Sequence, residues 1–155
     1  MGGAIAQPTD KTISETLGCD IQEIKDLKDR SGISGFIGGM IDVRKRPITG
    51  ISPKTVDLGP YDLIFIGTPI WGMKFSPAVN TFITSSDFKN KKVVLFVTTS
   101  ARMKESAFDE YSEMISQKGG KVVGTFFQKT LGKEHDEIKK EAGKNITDNS
   151  ARWLN

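Results

Sequence analysis

Short, nearly continuous apolar runs constrain the fold of this chain more than any other feature. Residues 61–67 read YDLIFIG and residues 92–97 read KVVLFV, and the second run ends in a cluster of hydroxyl residues. Runs of Val, Ile, Leu and Phe at this length are typical of strands that are buried on both faces of a parallel sheet. We therefore predict strands near residues 20–25, 61–67, 92–97 and 121–128, of which the first, an alternating run, is the weakest.

Amphipathic helical patterns separate these runs. Apolar residues recur three or four positions apart in each pattern, and Gly or Pro residues stand near the ends. Helices are predicted over residues 11–17, 34–46, 76–83, 105–118 and 134–146. Strands that alternate with helices form βαβ units, so the sequence predicts an α/β fold with a parallel sheet. No repeat or linker interrupts residues 1–155, which we expect to form a single domain.

Charge and composition exclude several classes of protein. The net charge is only +3 and the basic residues are scattered, so nucleic-acid binding is not expected,. Two basic clusters, residues 44–46 and 89–92, fall at predicted element ends, where cations satisfy helix carbonyls or solvate a turn,. No apolar run approaches the ~20 residues that span a bilayer, and the first residues do not resemble a secretory signal. We expect a cytoplasmic protein with no membrane contact.

The reactive side chains are too few for several common chemistries. Cys19 is the only cysteine and His135 is the only histidine. A lone imidazole makes a metal site improbable, and the chain lacks the Gly-x-Ser-x-Gly turn of many serine hydrolases. Cys19 is interpreted as an inert packing residue. We therefore predict no metal site and no catalytic side chain.

Two segments at the carboxyl ends of predicted strands carry residues suited to ligand binding. Residues 67–72 read GTPIWG, in which a proline fixes the turn and Trp71 offers a flat aromatic surface next to glycine,. Residues 98–101 read TTSA and offer hydroxyls and backbone amides,. Ligands of parallel α/β sheets bind beyond these strand ends. Stacking of Trp71 on a heterocycle is the functional interpretation, with plain loop packing and helix capping as the structural alternatives.

The same residues resemble the flavodoxin family, and in particular its archaeal and clostridial type. The resemblance runs from about Leu17 to the end and is carried by residues 23–36, by Tyr61 to Trp71 and by Ser76-Pro77-Ala78. It implies a flavodoxin-like three-layer sandwich and FMN as the cofactor. It assigns Thr68, Pro69, Ile70, Trp71 and Gly72 to one side of the flavin ring, and Thr98, Thr99, Ser100 and Ala101 to its pyrimidine side.

Three departures from the family stand out. Residues 72–75 read GMKF, which makes the flavin edge more apolar and more basic than in many relatives, and the whole chain is slightly basic. The largest departure is at the amino end, because the first strand and the phosphate-binding loop of the family are missing. That strand is central in the order 2-1-3-4-5. Residues 4–7 could replace it with Pro8-Thr9-Asp10 as a reduced phosphate turn, its neighbours could pair directly, or chains could exchange elements in a dimer.

Two functions follow from this resemblance. The first is an FMN-binding electron carrier or a component of an NAD(P)H or quinone-type flavin reductase, with weakened binding of the FMN phosphate and with redox proteins as partners. The second is a flavodoxin-like remnant that binds no flavin and acts as an interaction or structural module. In either case the incomplete sheet predicts a homo-dimer or a larger homo-oligomer.

Overall fold

The computed structural model describes residues 8–28, 48–71, 74–100 and 103–155. Its helices are α1 (Pro8–Leu17), α2 (Pro77–Ser85), α3 (Asp109–Gln117) and α4 (His135–Leu154), and a single 3-10 turn covers Glu105–Ala107. Its strands are β1 (Lys25–Asp26), β2 (Ile51–Ser52), β3 (Leu63–Trp71), β4 (Lys74–Phe75), β5 (Lys92–Thr99) and β6 (Lys121–Lys129). None of the helices in these ranges is both long and apolar enough to cross a bilayer.

The main sheet has the strand order β4-β3-β5-β6. The three long strands run parallel, with Leu63 of β3 beside Lys92 of β5 and Lys92 beside Lys121 of β6. The short strand β4 returns antiparallel along the last residues of β3. The predicted α/β fold with a parallel sheet is therefore confirmed.

Helices cover both faces of this sheet, and the side chains of β5 alternate between the two resulting cores. Val93, Leu95 and Val97 belong to one core, together with residues of α2 and α3. Val94 and Phe96 belong to the other, together with residues of α1 and α4. Every residue of β5 after Lys92 is buried. The nearly continuous apolar run follows from this, since a strand covered on both faces has no solvent side.

The prediction of a strand at residues 20–25 is wrong. Residues 20–24 form no strand, and only Lys25 and Asp26 pair, antiparallel, with Ile51 and Ser52 in a separate two-stranded sheet. Polar residues alternate with the two isoleucines here, and Ile21 is 46% exposed, so this segment buries too little apolar surface to enter the sheet,. Direct pairing of this segment with the strand at residues 61–67 is thereby excluded as well.

Other predicted elements hold with altered ends, and some lie outside the described residues. The predicted helix at 134–146 continues to Leu154 because Trp153, near its end, is buried against Phe65 and Phe126. Lys91 and Lys92 donate side-chain hydrogen bonds to the carbonyls of Gly59 and Leu154, as expected for cations at element ends. The helix predicted at 34–46, the basic cluster at 44–46 and the substitute strand at 4–7 lie outside the described residues.

Substitution of Gly67 by alanine should destabilise the fold. A Cβ at this position of β3 would lie 2.1 Å from Cζ of Phe96, whose ring is itself stacked on Phe126 and has little room to move. We expect Gly67→Ala to lower the free energy of unfolding by about 1–3 kcal/mol in urea titrations. Gly143→Ala is the control, because its Cβ would meet Thr12 at an ordinary 3.6 Å and should stabilise α4 by up to about 1 kcal/mol,. Equal effects of the two variants would contradict this account.

We propose that the chain forms a homo-oligomer through the side of β3 that has no strand partner among the described residues. Within the described ranges, residues 63–69 of β3 pair only with β5, since β4 pairs with Ile70 and Trp71 alone. An uncharged strand edge of this length is a template for another strand. Light scattering at rising protein concentration should show dimers or larger species. A clean monomer at high concentration would contradict the proposal.

Candidate functional site

The carboxyl edge of the sheet, where β3, β5 and β6 end, brings the predicted site residues together. Thr68 lies beside Val97 and Pro69 beside Thr98 in the β3–β5 register. On the other side of β5, Thr98 lies beside Gln128 and Thr99 beside Lys129. The exposed Ser100 follows β5 directly, whereas Gly72 and Ala101 lie outside the described residues. The two segments chosen from sequence are therefore neighbours at one edge.

Residues 68–71 do not form a loop, which corrects the sequence interpretation. They are the last four residues of β3, and the backbone of Trp71 is paired with Lys74 of β4. Thr, Ile and Trp suit an extended backbone, and the antiparallel return of β4 supplies partners beyond the point where an isolated strand would end. Trp71 is therefore presented from a paired strand and not from a free turn.

Thr68 holds the start of α2 in place. Its side chain is buried, its Oγ1 lies 2.9 Å from Ser76 Oγ, and it accepts a hydrogen bond from the Ser76 backbone N–H at 3.2 Å. Ser76 is the N-cap residue of α2 and is followed by Pro77, but its side chain makes no capping hydrogen bond. The hydroxyls of Thr68 and Ser76 thus tie β3 to α2, directly behind the carboxyl edge.

The strand β4 is held against α3 by contacts that sequence reasoning missed. The rings of Phe75 and Tyr111 are stacked, with centroids 3.6 Å apart and planes within 7°. The Phe75 backbone N–H donates to the Tyr111 hydroxyl at 3.0 Å, and Lys74 forms an ion pair with Glu110. Within the predicted helix at 105–118, Tyr111 shares the apolar spacing of Phe108 and Ile115, which indicates a buried position,. Nothing in that spacing indicates a hydrogen bond to the strand that follows Trp71.

A groove lies between the β3–β4 return and the segment that follows β5. It has a volume of about 260 Å³ and is lined by Lys74, Lys104, Ser106, Ala107 and Glu110. Small-molecule sites usually enclose about 300–1,000 Å³, so this groove is a part of a site at most. Its two lysines agree with the expectation that this edge is more basic than in many flavodoxins.

Polar side chains also meet beyond β6, at the start of α4. Gln128 is buried and donates to Glu141 at 3.1 Å, and Lys133 forms an ion pair with the same carboxylate. The hydrogen bond from Lys133 lowers the pKa of Glu141, with a further contribution from Gln128. Sequence analysis did not select these residues, because they are single polar residues at the junction of two elements and belong to no motif.

The amino end of α1 points toward the same carboxyl edge. Beyond the other end of α1, Asp20 accepts a 2.6 Å hydrogen bond from Tyr61, which precedes β3 at the amino edge. Halfway along, a Cβ on Gly143 of α4 would lie 3.6 Å from Thr12. Near the beginning of the helix, Thr9 is fully buried, and its hydroxyl has no hydrogen-bond partner among the described residues. This orphaned hydroxyl stands where a helix N-terminus favours an anion.

The described residues contain no group of three or more His, Cys, Asp or Glu side chains that could hold a metal ion. Burial raises the pKa of the Cys19 thiol, which is partly exposed at the end of α1, away from the carboxyl edge. A raised pKa reduces the reactive thiolate fraction at neutral pH.

Comparisons with known proteins identify the family by its model and the fold by its structural neighbours. The family model for flavodoxin matches residues 12–139. A candidate flavoprotein from Bacteroides eggerthii is 21% identical, with a TM-score of 0.66 over 94% of this chain and 92% of that one. A candidate flavoprotein from Bacteroides uniformis is 25% identical, with a TM-score of 0.64 over 90% and 92%. A flavoprotein from Lactobacillus acidophilus, crystallised in complex with FMN, is 17% identical, with a TM-score of 0.55 over 94% and 90%. No protein with a curated description matches the sequence.

Removal of the Thr68 hydroxyl should destabilise the protein. Thr68→Val would leave the partly buried Ser76 N–H without its partner, so we expect a loss of about 1–3 kcal/mol in the free energy of unfolding,. Thr147→Val is a matched control, because the Thr147 hydroxyl donates to the Gly143 carbonyl on the exposed side of α4. Urea titrations of both variants test this. A control that loses as much as Thr68→Val would show that the Thr68–Ser76 contact is not special.

Proposed function

This chain belongs to the flavodoxin family, and from that premise we propose that it is an FMN-binding electron-transfer protein. The observation that carries the proposal is the β3–β5 register, in which Pro69 lies beside Thr98 at the carboxyl edge. It supports a shared binding surface for the two segments that the family resemblance assigns to the flavin ring. A structural neighbour crystallised with FMN gives further support.

The ring end of the site is proposed to use Trp71 for stacking and residues 98–100 for the ring edge. Thr98 and Thr99 end the buried strand β5, and Ser100 beyond them is exposed. Hydroxyls and backbone amides at a strand end can bond to the polar atoms of a heterocycle. Thr68 would support the site indirectly and would not bond to the ring, because its hydroxyl is already bonded to Ser76.

The phosphate end is proposed to be weak. The buried hydroxyl of Thr9 at the start of α1, which has no partner among the described residues, is a donor that fits a phosphate oxygen. However, Asp10 stands in the first turn of the same helix, where its carboxylate competes with a phosphate for the positive end of the helix dipole,. One hydroxyl beside a carboxylate is a poor substitute for the loop of amides and hydroxyls that usually surrounds the phosphate.

Bound FMN would supply the redox chemistry, accepting electrons from one partner and passing them to another. The protein's own part is to bind and orient the ring and to limit its contact with water. No acid–base side chain is assigned to the reaction. Its redox partners are proposed to be proteins, which reach the flavin at the carboxyl edge.

The alternative is an interaction module that binds no flavin. The observation that favours it is the short supply of phosphate donors at α1, where Thr9 is followed by Asp10. Purification separates the two functions directly. An FMN-binding protein should bind added FMN, or retain it and be yellow, whereas the module should remain colourless and show no flavin binding at high concentration.

Discrimination between FMN and riboflavin should be poor. The two ligands differ in the phosphate, and one hydrogen bond to a charged group is worth about 1.5–3 kcal/mol. Because the Asp10 carboxylate opposes a phosphate at the same helix end, we expect the low end of this range, at which FMN binds about tenfold more tightly,. Thr9→Val should bring the two dissociation constants close together without weakening riboflavin binding. Flavin-fluorescence titrations measure both. Tight FMN binding with strong rejection of riboflavin would contradict the weak phosphate end.

Trp71→Ala should remove most of the flavin affinity. Stacking of a heterocyclic base on an aromatic ring is worth about 1–3 kcal/mol, so the dissociation constant for FMN or riboflavin should rise about tenfold or more. Trp71→Phe keeps an aromatic ring at the position and should retain most of the affinity. Equal losses in both variants would argue against stacking, and unchanged affinity in Trp71→Ala would exclude Trp71 from the site.

A further inference from the structure

We propose that Tyr111, assisted by Glu110, is a positioning residue of the flavin site. These two residues of α3 hold β4, and β4 in turn fixes the backbone position of Trp71. The inference rests on the proposed function, since it assigns a role in flavin binding to residues outside the two site segments. It starts from the chain of contacts that leads from α3 to β4 and from β4 to the last residues of β3.

The first step of that chain joins α3 to β4. Tyr111 contacts Phe75 in two ways. Its ring stacks on the Phe75 ring, and its hydroxyl accepts a hydrogen bond from the Phe75 backbone N–H at 3.0 Å. Both residues are almost fully buried, so water does not compete for this hydrogen bond. The neighbouring Lys74–Glu110 ion pair is partly exposed and contributes less, as surface ion pairs do,.

The second step joins β4 to Trp71. Phe75 pairs with Ile70, and Lys74 pairs with Trp71. The two residues of β4 that contact α3 are therefore also the register partners of the last two residues of β3. A pairing of two residues is marginal by itself. The backbone position of Trp71 therefore depends on what holds β4, and Tyr111 and Glu110 of α3 contact both residues of β4.

The third step shows that α3 is a fixed support. Ile115, one turn after Tyr111, is fully buried in the core beneath the sheet. Phe108, just before α3, contacts Phe127 of β6 with ring centroids 4.8 Å apart and also meets the edge of Phe75. The helix α3 is thus packed firmly against β6. Because α3 also contacts β4, it fixes the position of β4 and, through the pairing of β4, that of the end of β3.

The experiment uses the full chain with Tyr111→Phe, which removes one hydroxyl and keeps the stacked ring. The matched control is Tyr61→Phe, which removes a hydroxyl that bonds to Asp20 at 2.6 Å at the opposite, amino edge of the sheet. Wild-type protein and both variants are labelled with 5-fluorotryptophan. The resonances of Trp71 and Trp153 are assigned with Trp71→Phe, which removes one of them. FMN titrations, visible circular dichroism of the bound flavin and urea unfolding are measured on the same samples.

We expect Tyr111→Phe to shift or broaden the Trp71 resonance and to leave that of Trp153 unchanged. The dissociation constant for FMN should rise about tenfold, the change that corresponds to one buried hydrogen bond, and the visible dichroism should change as well. Glu110→Gln should act in the same direction by about twofold, as expected for a partly exposed pair. Tyr61→Phe should change neither resonance nor the affinity.

The outcomes separate this proposal from the proposed function. If wild-type protein binds no FMN, the proposed function fails, and the fluorine spectra still decide whether α3 positions Trp71. An unchanged Trp71 resonance in Tyr111→Phe overturns the positioning role. The role is also overturned if affinity and dichroism stay at wild-type values while only the urea midpoint falls, because that pattern describes a purely structural hydrogen bond.

Discussion

The parallel ladder between β3, β5 and β6 is the constraint on which the rest of the structure depends. Its central strand β5 is buried on both faces, and its residues alternate between the α2–α3 core and the α1–α4 core. Because all three strands run in one direction, their carboxyl ends finish together. The candidate site exists at that edge because the ladder brings distant segments of the chain side by side.

The two sides of this ladder are unequal. On the β6 side, Trp153 of α4 packs closely over Gly124 on one face of the sheet, at an irregularity in the β5–β6 register. Beyond β3, the described residues offer only the two-residue strand β4 as a backbone partner. The same short strand presents Lys74 to the groove and Phe75 to Tyr111. A substitution in β4 should therefore affect both the stability of the fold and the geometry of the candidate site.

Sequence reasoning worked where one local signal determined one structural outcome. The apolar runs at 92–97 and 121–128 gave strands close to the predicted bounds, because burial on both faces requires such runs,. It failed at residues 20–25, where two isoleucines among polar residues resembled a weak strand. It also failed at residues 68–71, interpreted as a loop, because the partner that extends β3 is the antiparallel return of β4. Pairing partners are not visible in local composition.

The sequence by itself determined the α/β class, which follows from periodicity, and the family, which follows from short motifs that also select the two segments proposed for the ring end. Only the tertiary structure decided that Thr68 is bonded to Ser76, that Tyr111 contacts β4, and that Thr9 is buried at the start of α1 with no hydrogen-bond partner among the described residues. The first two are contacts between different elements, and the third results from how α1 packs. Such contacts depend on how helices pack against the sheet, and the spacing of residues along one element carries no record of that packing.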